Sequence, residues 1–488
     1  MKIQTSEEKL NYVKKYLDKL LSIARQATGK GRYNLALSAL SAYCNIQYSI
    51  NQVYTDAKAE ELLLQISEKV VSVSDNYQGE KNTVLFYDGF GLDLRGWAAS
   101  FARAISSLEY DFVYVAPLHA KGKIPHIKAE VESGKGRIEY IDMKQSYVEH
   151  INALNEIFNR YIPKAAFFYT TPNDVAGAAV FDAYKGKVKR IQIDLTDHAF
   201  WIGVNAIDIL PEGRDLGVSN AIYHRGFSKD AITYMDGCPY INRDVSPEPL
   251  PFDIEHDEYV FSGGSLYKTL GDEQLYFYKI VDHILSEHDS IKFLYAGGGD
   301  DSELKKIIAK YPGRAFHIPE RPDFIRLFEN CDFFLNTYPM FGGLMMRYAA
   351  MVGKIPLTLK HGSDHEGLLK DQDKRGIEFD TYEETIREAD KLISDEQYRS
   401  LKELGLKGSV TTEEEYARRI QMIIEQGETD QSFEHIKEID TTEFRSEYLE
   451  RLVPDEMLQD EIGRKKNLDL AFYFPELFVK RVLRRITK

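Results

Sequence analysis

Residues 333–359 read FFLNTYPMFGGLMMRYAAMVGKIPLTL, and this stretch decides the fold around it. Phe333 to Leu335 is a short apolar run typical of a buried strand, and Ile355 to Leu359 is a second one. Between them lie a turn with Gly342 and Gly343 and a Leu-, Met- and Ala-rich segment that predicts a helix. Strand, glycine turn, helix and strand together form one βαβ unit. The free N–H groups and positive helix end at such a turn suit a diphosphate, although many α/β turns carry glycines for packing alone.

Length and composition set the broad class of the protein. A chain of 488 residues exceeds what one hydrophobic core organises, so we expect two or three domains. The net charge of −15 argues against nucleic acid as the main partner, because its phosphates would be repelled. Three widely spaced cysteines, Cys44, Cys238 and Cys331, predict a reduced cytoplasmic setting and no metal site. The polar start, Met1 to Lys9, predicts no signal peptide, and no apolar run is long enough for a membrane span.

In the first half of the chain, the spacing of apolar residues changes near residue 79. Residues 1–78 have apolar residues at helical spacing, which predicts either a repeat-like helical pair or a helical cap on the next domain. Residues 79–248 alternate apolar runs with helical patterns, which predicts a Rossmann-like domain with a mostly parallel sheet. The predicted strands are Val84–Tyr87, Phe112–Ala116, Ile138–Ile141, Ala165–Tyr169, Ile191–Leu195, Ala206–Leu210 and Ala221–His224.

A second α/β series follows a proline-rich linker at residues 247–253. It occupies residues 255–425, and residues 426–488 form a charged helical tail. The predicted strands are Tyr259–Phe261, Phe293–Tyr295, Ala315–Ile318, Phe333–Leu335 and Ile355–Leu359. We therefore expect an α/β protein with two Rossmann-like domains and a ligand in the cleft between them.

Four loops of the second domain are expected at the carboxyl ends of its strands, where nucleotides bind in such folds. They are 262–268, 296–300, 317–322 and 338–343. Lys268 offers a compact charge for a pyrophosphate, but it could equally be a solvated surface lysine. The glycines at 297–299 favour a tight turn, or a loop beside a base or ribose.

The order of these motifs resembles a known family. Gly263-Gly-Ser-Leu-Tyr-Lys-Thr, His317-Ile-Pro-Glu-Arg and the Gly342-Gly343 turn resemble the donor-site segments of O-GlcNAc-transferase-like enzymes, which are GT-B glycosyltransferases. The Tyr-Pro-x-x-Gly-Gly and Gly-x-Ile-Pro elements also resemble bacterial adhesin-type protein glycosyltransferases. The match covers roughly residues 255–425.

The resemblance implies a nucleotide-sugar donor, UDP-linked, with no cofactor and no metal. It assigns the donor diphosphate to Lys268 and the glycine turn, and recognition of uracil to the backbone of Ile318–Arg321. The implied donor-binding residues are Gly263, Gly264, Lys268, Gly297, His317, Ile318, Glu320, Arg321, Tyr338, Phe341, Gly342, Gly343 and Leu344. One feature departs from the family: the helix after the glycine turn carries Arg347 where many relatives place a ribose-binding glutamate. Glu366 is a candidate substitute.

The first domain would supply the acceptor side. The loop after its first strand contains Gly89, Gly91 and Arg95. Asp197 and His198 follow an apolar strand, and a polar pair there is unfavourable unless it is hydrogen-bonded or used. His198 could act as general base or hold the donor phosphate, with Asp197 orienting it, or it could be a structural histidine. His224 and Arg225, at the end of another predicted strand, are weaker candidates.

The C-terminal helix, residues 474–488, has an apolar side and a basic side. It is typical of contact with anionic lipid or an acidic partner, or of a helix packed back onto the first domain. We expect a cytoplasmic glycosyltransferase of surface-glycan assembly, peripheral at the inner membrane face or in a homo- or hetero-oligomer, with a glycan or glycoprotein acceptor. The alternatives are a sugar-nucleotide epimerase and a non-catalytic accessory subunit.

Overall fold

The chain folds into two compact units. The structure, a computed structural model, describes residues 5–74, 77, 81–94, 96–242, 245–361, 368–433 and 436–486. Unit 1 comprises Met1–Met235 and Ala417–Lys488, and unit 2 comprises Asp236–Tyr416. The C-terminal segment therefore belongs to the same unit as the N-terminal helices.

Unit 1 begins with three helices, as the helical spacing predicted. They are α1 (Ser6–Gly29), α2 (Tyr33–Ile50) and α3 (Ala57–Val70). Thr5 and Glu8 form a capping box at the start of α1, in which each side chain accepts a hydrogen bond from the other residue's backbone N–H. Almost every side chain of α2 is buried, so this helix lies inside the core of unit 1.

A five-stranded parallel sheet follows, in the order β3-β2-β1-β4-β5. Its strands are β1 (Lys81–Asp88), β2 (Asp111–Pro117), β3 (Arg137–Ile141), β4 (Pro163–Tyr169) and β5 (Lys189–Gln192). The helices between them are α4 (Ala98–Ser106), α5 (Pro125–Ser133), α6 (Tyr147–Tyr161) and α7 (Val175–Ala183). The alternation of apolar runs and helical patterns predicted this arrangement correctly, because strands covered on both faces must be apolar throughout.

Of the last two strand predictions for this domain, Ala221–His224 was wrong, and Ala206–Leu210 overlaps a strand only at its last residue. Ala221–His224 lies at the end of a helix, α8 (Asp215–Tyr223), and residues 204–206 form a turn of 3₁₀ helix. The strands nearby are a separate parallel pair, β6 (Leu210–Glu212) and β7 (Ile232–Tyr234). A four-residue apolar run cannot distinguish a buried helix from a strand, since its period is too short to measure.

Unit 2 contains a six-stranded parallel sheet in the order β10-β9-β8-β11-β12-β13. Its strands are β8 (Tyr259–Gly263), β9 (Lys292–Ala296), β10 (Ala315–Ile318), β11 (Phe333–Leu335), β12 (Pro356–Leu359) and β13 (Glu378–Phe379). The helices are α9 (Tyr276–Glu287), α10 (Ser302–Lys310), α11 (Phe324–Asn330), α12 (Gly343–Val352), α13 (Tyr382–Ser394) and α14 (Glu396–Glu403). Counted within the unit, the order is 3-2-1-4-5-6, that of dinucleotide-binding doubly wound sheets, and its direction reverses between β8 and β11.

Four helices complete the chain: α15 (Glu413–Glu425), α16 (Thr442–Arg451), α17 (Pro454–Ile462) and α18 (Pro475–Ile486). Helices α16 and α17 pack against α1 and α2, α18 packs against α17, and Leu449, Leu458 and Leu477 join the core of unit 1. Lys9 of α1 donates to the carbonyl of Leu449 over 2.9 Å. Among the described residues, every helix is too short or too polar to cross a bilayer.

Candidate functional site

The strand order of unit 2 places two loops at the point where the sheet reverses. The loop after β8 contains Gly263, Gly264 and Lys268, and the loop after β11 runs from Asn336 to Gly343. Both loops leave the carboxyl ends of neighbouring parallel strands. Ligands of doubly wound folds bind at this position.

Asn336 fixes the shape of the glycine turn. Its side-chain oxygen accepts hydrogen bonds from the N–H groups of Thr337 (3.0 Å) and Gly342 (2.8 Å). Its amide nitrogen donates to Thr358 over 3.2 Å, and the side chain is buried. The N–H of Gly342, which the sequence analysis assigned to a donor phosphate, therefore already donates a hydrogen bond within the protein. In the sequence, the feature that could have indicated this contact is an asparagine directly after a buried strand.

The start of α12 supplies the remaining amides. The first intrahelical bond runs from the N–H of Met346 to the carbonyl of Gly342 (2.9 Å), so Gly343, Leu344 and Met345 form the first turn. The N–H groups of a first helical turn have no carbonyl partner within the helix, and the helix dipole makes this end positive. Gly343 and Leu344 thus lie at the positive end of α12, and their role in donor binding stays a prediction.

Lys268 reaches the same turn from the other loop. Its ammonium group donates to the carbonyl of Phe341 over 3.2 Å, and its own carbonyl accepts from the N–H of Met340 (3.2 Å). The side chain is half-buried and is held beside the residues that precede α12. The structure therefore brings together two groups that the sequence separates by more than seventy positions: a lysine charge and a helix start.

Gly264 and Gly297 connect the loops after β8 and β9. Gly297 has φ +156°, and a Cβ atom there would lie 1.8 Å from the carbonyl oxygen of Gly264. Gly264 has φ +124° and faces open space. A Cβ on Gly263 would meet the carbonyl oxygen of Ala296 at 2.8 Å. Gly263 and Gly297 are thus required by the approach of neighbouring backbone, while Gly264 leaves room at the surface of the site.

The segment after β10 uses most of its side chains internally. His317 contacts the carbonyl of Gly297 through Nε2 (2.8 Å). Arg321 is buried, forms an ion pair with Asp323, and donates to the carbonyls of Glu248 and Pro249. The carbonyl of Ile318 accepts from the N–H of Gly297 (3.0 Å), and Pro319 and Glu320 are exposed. The family resemblance assigns recognition of uracil to the backbone of this segment, and that role stays a prediction.

Aromatic side chains surround the two loops. The hydroxyl group of Tyr338 lies 3.2 Å from Nδ1 of His361, and Phe341 is partly exposed. Tyr267, next to Lys268, is 59% exposed. Tyr267 is not among the site residues predicted from the sequence. A large exposed aromatic residue beside a glycine loop offers a stacking surface for a base or a sugar.

Arg347 stands where the family resemblance implies a ribose-binding glutamate. Arg347 is buried and donates to the carbonyl of Gly237 over 3.0 Å, so it supports the backbone of unit 2. Glu366 lies outside the described residues, as does Arg95 of unit 1.

In unit 1, the loop after β1 is organised by Asp88. Its carboxylate accepts hydrogen bonds from the N–H groups of Phe90 (2.8 Å) and Gly91 (3.0 Å) and from the hydroxyl group of Tyr114 (2.8 Å). Burial raises the pKa of Asp88 to about 6, although these donors act in the opposite direction. Gly89 and Gly91 have no space for a side chain, since added Cβ atoms would lie within 2.8 Å of Thr170 and Pro117 respectively.

His198 lies on a turn after β5 rather than at the end of a strand. Because β5 ends at Gln192, the side chains of the neighbouring residues Asp197 and His198 can meet, and Nδ1 of His198 is 3.3 Å from Oδ1 of Asp197. The ring is 25% exposed, and its backbone carbonyl accepts from Asn51 (3.1 Å). The objection that adjacent residues of a strand point to opposite faces does not apply to a turn.

Asp197 is held by Arg214, a contact that sequence reasoning missed. Nε and Nη2 of Arg214 bind the two carboxylate oxygens at 2.5 and 2.6 Å, and both side chains are buried. Burial opposes ionisation of Asp197, but the guanidinium outweighs it and keeps the pKa of Asp197 well below its usual range. Asp197 is therefore an anion at neutral pH, and it faces Nδ1 of His198.

Two more buried acids lie close to this pair. Burial, together with repulsion from Asp194 and Asp197, raises the pKa of Glu212 well above its usual value. Burial also raises the pKa of Asp194, against the attraction of Arg225. Asp194 accepts a hydrogen bond from the indole N–H of Trp201 over 3.0 Å.

His224 and Arg225 follow helix α8, so their predicted place at the end of a strand was wrong. Arg225 is buried and donates to the carbonyls of Asp197 (3.1 Å) and Ala199 (2.7 Å). His224 stacks on Tyr54 with ring centroids 5.0 Å apart. Arg225 therefore supports the turn that carries His198. Among the described residues, no group of three or more His, Cys, Asp or Glu side chains is arranged to hold a metal ion.

Comparison with known proteins identifies the fold. No protein-family model matches the sequence, and no curated protein is significantly similar to it. Among solved structures, a glycosyltransferase from Rickettsia africae is 11% identical over 71% of this chain and 98% of its own, with a TM-score of 0.52. An Anabaena protein solved in complex with UDP and glucose is 12% identical over 70% of this chain and 99% of its own, with a TM-score of 0.51.

A third similar structure belongs to a different enzyme class. A Listeria monocytogenes protein described as a UDP-N-acetylglucosamine 2-epimerase is 14% identical over 71% of this chain and 96% of its own, with a TM-score of 0.51. At such identities the likeness concerns the fold alone. The chain has the GT-B fold, with two Rossmann-like units, an N-terminal helical segment and a C-terminal helical tail.

Proposed function

We propose that this chain is a glycosyltransferase that moves a sugar from a UDP-linked donor to a glycan or glycoprotein acceptor in surface-glycan assembly. The observation that carries the proposal is the meeting of Lys268 with the start of α12 where the sheet of unit 2 reverses. The lysine ammonium is 3.2 Å from the carbonyl of Phe341, two residues before the first amide of the helix. A lysine charge and oriented amides are the groups that stabilise a diphosphate.

This arrangement suits the leaving group of the reaction. When the bond between the anomeric carbon and the diphosphate oxygen breaks, negative charge grows on the diphosphate. Lys268 and the amides of Gly343 and Leu344 would stabilise that charge without moving, as preorganised donors do. The complex of the similar Anabaena protein with UDP and glucose supports a UDP-linked donor.

For the acceptor we propose His198 as general base. Asp197 is an anion fixed by Arg214, so it favours the tautomer of His198 in which Nδ1 carries the proton and donates it towards Asp197. Nε2 then carries the free electron pair and can take the proton of an acceptor hydroxyl as the new glycosidic bond forms. Gly89 and Gly91 would shape the acceptor side of unit 1.

The test is a panel of nucleotide sugars measured by calorimetry, followed by a transfer assay with candidate acceptors. We expect UDP and at least one UDP-sugar to bind, and sugar transfer to release UDP in equal amount. If none of the nucleotides binds at millimolar concentration, the donor site is wrong and the accessory-subunit alternative is favoured.

An epimerase is the second candidate, and the similarity to the Listeria protein, with a TM-score of 0.51, favours it specifically. An epimerase would convert its UDP-sugar with no acceptor present and would incorporate deuterium from heavy water at the inverted carbon. Proton NMR of the donor incubated alone distinguishes the two, because a glycosyltransferase leaves the sugar carbons unchanged.

A further inference from the structure

Helix α18 has two apolar faces, and only one of them is packed. Leu477, together with Phe474 just before the helix, is buried in the core of unit 1. On the other face, Val479, Val482 and Leu483 are 55%, 43% and 57% exposed, and Phe472 in the preceding turn is 88% exposed. We call these four exposed side chains the apolar strip. Large apolar side chains clustered at one exposed place mark an interaction surface.

The chain around the apolar strip is strongly basic. Residues 464–488 contain eight basic and two acidic residues, a net charge of +6, whereas the other 463 residues carry −21. Lys465 is exposed and Lys480 lies on the same helix as the strip. The positive charge is therefore concentrated where the apolar surface is exposed.

Helix α1 extends this basic region. Its Lys19 ammonium donates to the carbonyl of Tyr473 over 2.6 Å and lies 4.5 Å from the ring centre of Phe474. Residues 9–32 contain seven basic residues and one acidic residue. Lys14 and Lys15 are exposed one turn before Lys19. The contacts of Lys19 bring this second basic segment beside the start of α18.

Acidic residues of α17 also face α18. Asp455 lies 3.5 Å from the ammonium of Lys480, and Glu456 and Asp460 pair with Arg484. The α17 partners in these pairs are exposed, and exposed pairs contribute little and exchange readily with other anions. They hold the basic side chains beside the strip, and with the four acidic residues of α17 included, residues 454–488 carry a net charge of +2.

We propose that the apolar strip and its basic border bind the surface of a lipid bilayer rich in anionic lipid. Three of its four side chains, Val479, Val482 and Leu483, lie on one face of α18, which suits insertion at the boundary between headgroups and acyl chains. The basic residues would contact the anionic headgroups. The acidic remainder of the chain would be repelled by the same surface, and this fixes which end of unit 1 approaches it. The chain would thus meet a membrane without crossing it.

Flotation of the full-length protein with lipid vesicles tests the proposal. We expect binding to vesicles with about 30% phosphatidylglycerol, little binding to pure phosphatidylcholine, and release at about 0.5 M sodium chloride. The variant Phe472→Ser/Val479→Ser/Leu483→Ser should bind at least ten-fold more weakly, because burial of apolar area and attraction to anionic lipid are both needed for stable binding.

Leu401→Ser/Leu404→Ser is the matched control. These leucines are 70% and 78% exposed on and just after α14 of unit 2, so the same change is made at equally exposed sites elsewhere. The control should bind vesicles like the unchanged protein, and circular dichroism should show both variants folded. The proposal would be overturned if the unchanged protein failed to float, or if the strip variant bound vesicles equally well. If the protein failed to bind vesicles but was captured by an acidic polypeptide such as polyglutamate, the surface would be assigned to a protein partner.

Discussion

Asp88→Asn should change how the stability of unit 1 depends on pH. Asp88 is fully buried at the end of β1, and burial raises its pKa from 3.8 to about 6. Asparagine has nearly the same shape. Its oxygen can accept from the N–H groups of Phe90 and Gly91, and its amide can donate to the hydroxyl oxygen of Tyr114. The substitution therefore removes the titration while keeping the hydrogen bonds.

The sign follows from proton linkage. Between pH 4 and 6 the folded protein holds a proton on Asp88 that the unfolded chain has released, so stability falls as pH rises through this window. A difference of about two in pKa corresponds to about 3 kcal/mol once pH exceeds the folded value. Relative to the unchanged protein, the free energy of unfolding of Asp88→Asn should rise by about 2.4 kcal/mol between pH 4 and pH 7.

Urea unfolding followed by tryptophan fluorescence measures this difference. The two tryptophans, Trp97 and Trp201, both lie in unit 1, so the signal reports that unit. Asp111→Asn is the control, because it makes the same substitution at an exposed carboxylate at the start of β2 of the same sheet. The reasoning would be refuted if the difference in unfolding free energy between Asp88→Asn and the unchanged protein varied by less than about 1 kcal/mol over this pH range.

Three further predictions concern the candidate site. Lys268→Ala should weaken UDP binding by about ten- to a hundred-fold in calorimetry, since a charge-assisted hydrogen bond to phosphate contributes about 1.5–3 kcal/mol. The control variant Lys279→Ala, at an exposed position of α9, should bind UDP like the unchanged protein. His198→Ala should slow transfer by about a hundred-fold or more while UDP affinity changes less than two-fold, and an unchanged rate would remove the histidine from the mechanism. Arg214→Met should lower the free energy of unfolding of unit 1 by about 3–5 kcal/mol, because it leaves the Asp197 carboxylate buried without its partner; a loss under 1 kcal/mol would contradict this ion pair.

Much of the candidate site was visible in the sequence. The glycine turn at Gly342-Gly343 follows an apolar strand and precedes a helix, and the structure has β11, the turn and α12 in that order. Lys268 stands in a glycine loop after another apolar strand, and it does reach the turn. The sequence did not show which backbone N–H groups remain for a ligand, because the N–H of Gly342 donates to the side chain of Asn336.

By itself, the sequence determined the class of fold: two α/β units, the strands of both large sheets except β13, and the helical ends. Apolar periodicity is a local property, so it can be measured along the chain wherever an element is long enough. Only the tertiary structure decided the strand order and the partners of buried charges, such as Arg214 for Asp197 and the backbone carbonyls for Arg321. Those partners are set by which distant segments meet, and a buried charge is stable only where such a meeting supplies its counter-charge or hydrogen bonds.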